Sequence, residues 1–238
     1  MVLKLTVFFI SILAGTNSQY SFSPSDLPDP KDTARMARYI VHISNWTAVS
    51  YLSTHPDTKY IPLSALFSVS DGPEKNGSGI PYFYVTPLEE AVSDMLTNNN
   101  CSILMSLAQT SICKKKNWDP EDPRCAHVIL TGLFEPVNEN STEYPVATQA
   151  LFSRHPSFSH LPANHNFFVA KLNIERILVQ DMFGGPSLVP LSDYFNVTRE
   201  TKVSDEVSDD NFTSGSSNLE SKLLTLSVLG FIYSYITL

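Results

Sequence analysis

The sequence predicts a mainly β fold of the α+β class, an antiparallel barrel with a few helices packed at its ends. Six or seven short segments are rich in β-branched and aromatic residues and are bounded by Gly, Pro, Asn or Asp. They show no internal repeat and no regular alternation of strands with helices, and a single core accounts for all of them. The predicted strands are WTAVSYLST (46–54), LSALFSVS (63–70), IPYFYVT (80–86), CSILMSLAQ (101–109), AHVILTGLFEPV (126–137), FFVAKLNI (167–174) and RILVQDMF (176–183).

Three helices accompany these strands. The first opens the domain, because Asp32 or Thr33 provides a cap and the apolar residues that follow recur at helical spacing. Two short helices are predicted at 88–96 and 141–156. Pro145 fits the second of these only in its first turn, where its missing N–H has no helical partner to lose.

The two ends of the 238-residue chain differ from its middle. Lys4 precedes an apolar run that ends in small residues, a pattern that predicts a cleaved secretory signal. The stretch after the domain is acidic and polar, and the last sixteen residues carry no charge. The predicted organisation is a signal peptide at 1–18, an N-terminal linker at 19–30, the domain at 31–199, an acidic polar linker at 200–222 and a hydrophobic C-terminal tail at 223–238.

The tail, LLTLSVLGFIYSYITL, has three interpretations. It is shorter than the roughly 20 apolar residues of a spanning helix. Small residues at Ser214, Gly215 and Ser216, followed by a polar spacer and this run, fit a glycolipid-anchor signal that would tether the protein to a membrane. A short retained span and an apolar extension that is clipped or packed stay open as alternatives.

Charge and motif content exclude several function classes. A formal net charge of -8 argues against nucleic acid as a partner, and the basic run 114–116 is predicted to be a solvated loop. The sequence contains no nucleophile elbow, Walker loop or zinc-binding H-E-x-x-H. His155, His160 and His165 recur every five residues in a segment with two prolines, which favours a surface loop over a metal site.

A secreted chain exposes its N-x-S/T sites to glycosylation, and six sites match this pattern. Asn140 and Asn196 lie in polar, turn-like contexts and are the favoured sites, followed by Asn76 and Asn211. The other two are doubtful: Asn45 precedes a predicted strand, and Cys101 occupies the middle position of the site at Asn100.

Three cysteines are too few for a disulfide scaffold. Cys113 and Cys125 bracket what resembles a hairpin loop, and an oxidising compartment favours a bridge between them worth about 3 kcal/mol. Two free thiols are the alternative. Cys101 is then left over and is predicted to be a buried thiol.

The stretch SDGPEKNGSGIPYFYVT (70–86) combines a Gly-rich loop with three consecutive aromatic residues. NGSG does not match the dinucleotide-binding pattern and does not lead from a strand into a helix, so a turn between two strands is predicted. Along the following strand, Phe83 should point away from Tyr82 and Tyr84. One face would pack in the core, and the other would form an interface or a pocket.

Several segments together resemble the CREG family of secreted glycoproteins, the "cellular repressor" type. They span most of the domain in the same order. The resemblance implies an FMN-binding-like split β-barrel, related to pyridoxine phosphate oxidases and assembled as a homodimer. The segments are DTARMARYIVHISNWTAVSYLST, FSVSDGPEKNGSGIPYFYVTPLEEAVSDM, SLAQTSICKKKNWDPEDPRCAHVILTG, LFSRHPSFSHLPANHNFFVAKLNIERILVQDMFGGP and DYFNVT.

The resemblance also implies that the chain binds no cofactor. Flavin-binding relatives commonly show a His-Thr pair followed by Asn where this chain has Ala91, Val92 and Asp94. Apolar groups and a carboxylate are poor hosts for an anionic phosphate. This sequence departs from the family in its C-terminal tail, and it lacks a glycosylation site at Asn173 that some members carry.

The predicted function is that of a non-enzymatic secreted or membrane-tethered glycoprotein that acts on receptors in growth and differentiation control or in the endolysosomal system. The resemblance implies a receptor of the mannose 6-phosphate type that reads glycans on Asn140 and Asn196. The predicted location is the secretory pathway, then the cell exterior, the cell surface or the endolysosome. The alternative is an FMN-dependent oxidoreductase, for which Lys171 is the obvious phosphate donor on a strand. A purely structural surface protein is a further interpretation.

Overall fold

The computed structural model describes residues 27–197. The predicted signal peptide, acidic linker and hydrophobic tail, together with Asn211, lie outside these residues and stay predictions. The described part contains seven strands and five α-helices. The strands are β1 Trp46–Leu52, β2 Pro62–Ser68, β3 Tyr82–Val85, β4 Asn100–Ser106, β5 His127–Pro136, β6 Phe168–Gln180 and β7 Ser187–Val189; the helices are α1 Thr33–Ile43, α2 Glu90–Thr97, α3 Ser111–Lys116, α4 Glu143–Arg154 and α5 Leu191–Phe195.

The seven strands form one curled antiparallel sheet in the order β2-β1-β4-β5-β6-β3, with β7 also paired to β6. The long strand β6 pairs with β5 along one edge, and its other edge is divided between β3 and β7. Beyond the end of β2, Ser70 pairs with Tyr82 at the start of β3, with N–H···O distances of 3.2 and 2.9 Å. This bridge closes the sheet on itself, so the fold is the predicted split β-barrel.

The predicted helices form where the sequence placed them. Asp32 caps α1, because its carboxylate accepts a hydrogen bond from the Arg35 N–H at 3.0 Å. The residues of α1 at helical spacing are buried in the main core, and α1 packs against β5, β6 and α5. Pro145 is the third residue of α4 and therefore lies in its first turn, as predicted.

Strand β3 separates two hydrophobic clusters. Phe83 points into the barrel, where its ring centroid lies 5.9 Å from that of Phe67. Tyr82 and Tyr84 point to the opposite side and pack in a second cluster with residues of α4. The predicted alternation is therefore confirmed, but the second face is covered by α4 and is not an open pocket, since Tyr82 is only 2% exposed.

Four local predictions differ from the structure. The two strands predicted at 167–174 and 176–183 are one strand, because Glu175 is accommodated as a bulge opposite Thr131 and Gly132. The strand predicted at 101–109 ends at Ser106, where a short 3-10 helix begins. The Cys113–Cys125 segment begins in helix α3 and not in a hairpin loop, and the basic run 114–116 forms the exposed end of that helix. Strand β7 and helix α5 were not predicted, because three and five residues are too short for a periodic signal.

Within residues 27–197, no helix combines the length and the apolar character needed to cross a bilayer.

Candidate functional site

The connection between β2 and β3, here called the 71–79 loop, lies over a buried group of charged side chains. His42 on α1 and Asp71 at the start of the loop are 3% and 2% exposed. His42 Nδ1 lies 2.7 Å from Asp71 Oδ1, and His42 Nε2 lies 2.8 Å from the carbonyl oxygen of Glu74. We call this arrangement of His42, Asp71 and the Glu74 carbonyl the histidine clamp. It ties the loop to α1.

Arg38 lies one turn before His42 on the same face of α1 and is 1% exposed. Its guanidinium donates to the carbonyl oxygens of Gly77 at 2.8 Å and Tyr194 at 3.2 Å. The Tyr194 ring also faces the guanidinium carbon, 5.2 Å from its centroid, and the Tyr194 hydroxyl donates to the Gly79 carbonyl at 2.7 Å. Arg38 therefore joins α1, the 71–79 loop and α5.

The glycines of the NGSG motif make this close packing sterically possible. A Cβ atom on Gly77 would overlap Asp71 Oδ2 and His42 Nδ1. Gly79 has a φ of +80°, and a Cβ atom there would lie 2.7 Å from Arg38 Nε. The Gly-rich loop thus receives two side chains of its own chain. The glycines leave the space that the Arg38 and His42 side chains occupy.

A second surface lies on the outside of the sheet. The strand registers align six apolar residues, one on each of β2, β1, β4, β5, β6 and β7. Leu66, Leu188 and Leu104 are 70%, 63% and 42% exposed. Charged or polar residues would be expected on a solvated sheet face. We call these residues the outer apolar row: Leu66, Ala48, Leu104, Ile129, Leu178 and Leu188.

The outer apolar row has polar residues on one side and an apolar depression on the other. Two residues further along the strands runs a polar row of Ser64, Ser50, Ser102, Thr131 and Arg176. On the opposite side lies a shallow depression of about 470 Å³, whose lining includes Trp46, Leu104 and Ile129. His127 also lines it, and burial lowers the pKa of this histidine, which favours the neutral ring. The depression is therefore mostly apolar, with Trp46 44% exposed at its edge.

The residues that the flavin hypothesis requires do not fit an anionic phosphate. Lys171 lies on β6, where its ammonium group donates to Glu143 Oε2 at 2.7 Å. Glu143 also accepts a hydrogen bond from the Tyr82 hydroxyl at 3.1 Å. The positive charge of Lys171 is thus already neutralised by a carboxylate of the same chain.

The three positions that the resemblance matches to the His-Thr pair and Asn of flavin-binding relatives lie on α2. Ala91 and Val92 are buried apolar residues, and Asp94 is 4% exposed. Asp94 Oδ1 accepts hydrogen bonds from the Thr54 N–H and the Thr54 hydroxyl, so it anchors the segment after β1. Ala91 and Val92 have no side-chain hydrogen-bond donor, and Asp94 acts as an acceptor. None of the three therefore offers a donor to a phosphate.

The predicted glycosylation sites occupy different environments. Asn140, Asn196, Asn45 and Asn100 are exposed, and Asn76 is partly buried in the 71–79 loop. Asn140 precedes α4, and Asn196 follows α5. Asn45 Oδ1 accepts from Arg154, and Thr47 of the same site is fully buried within β1. Occupancy of all these sites stays a prediction.

The structure joins Cys113 and Cys125 by a disulfide between α3 and the residue pair before β5. Cys101 is a free thiol at 6% exposure, and burial raises its pKa to about 12, which keeps it protonated. It is the buried thiol that the sequence predicted.

His155, His160 and His165 lie in or beside two short 3-10 helices, Pro156–His160 and Ala163–His165, in a largely exposed segment. His155 Nε2 lies 3.0 Å from the Val69 carbonyl oxygen. No group of three or more potential metal-ligating side chains occurs within the described part of the chain.

Sequence reasoning missed both the histidine clamp and the outer apolar row. The clamp joins residues 29 positions apart, and no local pattern links them. The row had a usable signal, because Leu66 and Leu104 break the alternation of their strands by adding apolar residues on the polar face.

Residues 28–196 match the family described as "CREG, beta-barrel". The chain belongs to the CREG family. Human Protein CREG1 is 45% identical over 172 residues, which cover 72% of this chain and 77% of that protein. Mouse Protein CREG2 is 38% identical over 168 residues, covering 71% of this chain and 58% of its own length.

Solved structures support the fold of this CREG family member. A heme binding protein from Mycobacterium smegmatis superposes with a TM-score of 0.55 at 17% identity. The match covers 71% of this chain and only 60% of that protein. The protein Atu2129 from Agrobacterium tumefaciens gives a TM-score of 0.52 at 18% identity, covering 73% of this chain and 64% of the other. At this identity the likeness shows the fold, and the predicted FMN-binding-like split barrel is confirmed.

Proposed function

We propose that this CREG family member is a non-enzymatic secreted glycoprotein that acts by binding, as a homodimer whose copies meet through the outer apolar row. The observation that carries this proposal is the row itself. It crosses six strands, it lies beside an apolar depression, and its residues Leu66, Leu104 and Leu188 are exposed. Contiguous exposed apolar surface of this kind marks interaction sites in soluble proteins.

Self-association fits this surface better than binding of a charged partner. The centre of the row carries no charged side chain, and His127 beside it favours its neutral form. The polar row next to it consists mainly of Ser and Thr, which can hydrogen-bond across an interface without the desolvation cost of buried charges. The same surface patch on two copies can also meet about a two-fold axis.

The enzymatic alternative is disfavoured by the chemistry of the residues it would need. Lys171 is paired with Glu143, and a carboxylate stands at Asp94 where flavin-binding relatives carry Asn. The relatives CREG1 and CREG2 are not named as enzymes. We therefore propose that the barrel serves as a scaffold for its outer surface.

Sedimentation velocity in the presence of FMN tests both functions at once. The full chain is followed separately at the protein and the flavin absorbance bands. The proposal predicts a dimer with no flavin boundary. In the Leu104→Glu variant, a charge buried at the interface should weaken association about tenfold or more. Leu88→Glu is the matched control, since Leu88 is 69% exposed and lies outside the row.

Each alternative result has its own meaning. Flavin that sediments with the protein supports the oxidoreductase. A dimer that survives Leu104→Glu unchanged places the interface elsewhere. A monomer at every concentration contradicts the proposed self-association.

Glycans would supply the second binding feature. Asn140 and Asn196 are exposed and lie at the ends of different helices, so both are sterically open to a receptor. We expect the double variant Asn140→Gln, Asn196→Gln to lose retention on an immobilised cation-independent mannose 6-phosphate receptor. Retention of the double variant at the wild-type level, resistant to free mannose 6-phosphate, would contradict glycan-dependent capture. Such capture would direct the protein to the endolysosome.

A further inference from the structure

The hydrogen bonds of His42 determine how many protons its ring holds. Its Nε2 faces the Glu74 carbonyl oxygen at 2.8 Å, and a carbonyl oxygen can only accept. Its Nδ1 faces Asp71 Oδ1 at 2.7 Å. A neutral imidazole carries a single N–H and satisfies only one of these two acceptors. Both contacts form together when the ring is an imidazolium.

The proton belongs on His42 and not on Asp71. Asp71 Oδ2 accepts a hydrogen bond from the Gly79 N–H at 3.0 Å, and accepted hydrogen bonds favour the ionised carboxylate. The clamp is therefore a buried imidazolium–carboxylate pair.

Charged or polar groups from several elements surround the clamp. The loop contributes the Asp71 carboxylate and the Glu74 carbonyl, α1 contributes Arg38, and α5 contributes Tyr194. From α4, Arg154 donates to the His42 carbonyl at 3.0 Å. Burial lowers the pKa of His42 and so does Arg154, but Asp71 and the Glu74 carbonyl outweigh them, so the pKa lies above its ordinary value of 6.5.

We propose that His42 is a protonated latch for the 71–79 loop, and that loss of its proton as pH rises loosens the loop and the Ser70–Tyr82 bridge that closes the barrel. Deprotonation at Nε2 leaves a lone pair facing the Glu74 carbonyl oxygen, so an attraction becomes a repulsion. The hydrogen bond from Nδ1 to Asp71 remains. The loop therefore loosens at residues 74–77 first.

The position of the loop gives the latch a structural consequence. The loop begins beside Ser70 and ends before Tyr82, the two residues whose backbone bridge closes the barrel. Gly77, to which Arg38 donates, lies in the segment that deprotonation releases. The direction follows from linkage: the folded-state pKa is raised, so this stabilisation is complete below about pH 6.5 and is lost as pH rises through the folded-state pKa. The loop is closed in acidic surroundings.

The direct test is a nitrogen NMR titration of the full chain labelled with 15N-histidine. Among the six histidines, His42 should show two protonated ring nitrogens at pH 6 and a titration midpoint above 6.5. A bare Nδ1 or Nε2 at pH 6 would overturn the proposal. This measurement needs no variant, so it decides the matter even if substitutions at residue 42 prevent folding.

A second measurement links the proton to the loop. Between pH 6.5 and pH 8.5 the wild-type Tm should fall about 2–4 °C further than that of His42→Gln, which cannot become charged. Amide hydrogen exchange of residues 74–79, corrected for its intrinsic pH dependence, should accelerate over the same range in the wild type alone. His55→Gln is the control, because the His55 side chain is 56% exposed and should retain wild-type behaviour. Equal pH dependence in wild type and His42→Gln would overturn the latch.

Discussion

The 71–79 loop and the outer face of the sheet depart from the usual distribution of side chains in opposite directions. Beneath the loop, Arg38, His42 and Asp71 are ionisable and at most 3% exposed. On the outer face, Leu66 and Leu188 are apolar and 70% and 63% exposed. Either departure costs free energy when nothing balances it.

The two regions differ in whether the groups that offset this free-energy cost lie in the same chain. The buried charges find theirs in the same chain, through Asp71, the loop carbonyls and the Tyr194 ring. Within residues 27–197, Leu66, Leu104 and Leu188 of the outer apolar row stay exposed. We therefore expect the first region to serve folding, and we propose association as the role of the second.

The largest effect should follow from breaking the histidine clamp. Asp71→Ala leaves His42 buried without its counter-charge and removes the acceptor of the Gly79 N–H. Removing one partner of a buried ion pair typically costs about 3–5 kcal/mol in the free energy of unfolding. Urea unfolding measures this loss.

Asp57→Ala is the matched control for that experiment. Its side chain is 89% exposed, and its Oδ2 lies 3.8 Å from Nδ1 of His55, whose side chain is 56% exposed. Surface substitutions of this kind change stability by about 0.5 kcal/mol or less. Equal losses in Asp71→Ala and Asp57→Ala would show that the clamp contributes nothing to folding.

A much smaller effect on stability is expected from the outer apolar row. Leu104→Glu should change the free energy of unfolding of the monomer by only about 0.5 kcal/mol, because Leu104 is 42% exposed. The measurement requires a protein concentration at which the wild type is monomeric. A loss of several kcal/mol would mean that Leu104 stabilises the single chain and would remove the contrast between the two regions.

The sequence predicted those features that depend on local pattern. The Asp32 cap and the spacing of Met36, Ile40 and similar residues predicted α1, and alternation along β3 predicted opposite directions for Phe83 and Tyr84. The resemblance to the CREG family predicted the family and the split β-barrel. These predictions needed no knowledge of which segments meet in space.

The candidate sites depend on which segments of the chain meet in space. His42 and Asp71 meet because the 71–79 loop folds back over α1, and the NGSG motif gives no sign of which side chains its glycines admit. The outer apolar row exists only once the register of six strands is fixed, since Leu66, Leu104 and Leu188 are far apart in sequence. Non-local pairing of this kind cannot be read from periodicity.

The central claim is that a second copy of the chain covers the outer apolar row, and Trp46 reports on that surface most directly. The chain has two tryptophans, so Trp118→Phe leaves Trp46 as the only one. Trp46 is 44% exposed beside the depression. As concentration rises through the dimerisation range, its emission should shift to shorter wavelength and its quenching by acrylamide should fall. A dimer that forms with unchanged Trp46 emission and quenching would contradict the claim.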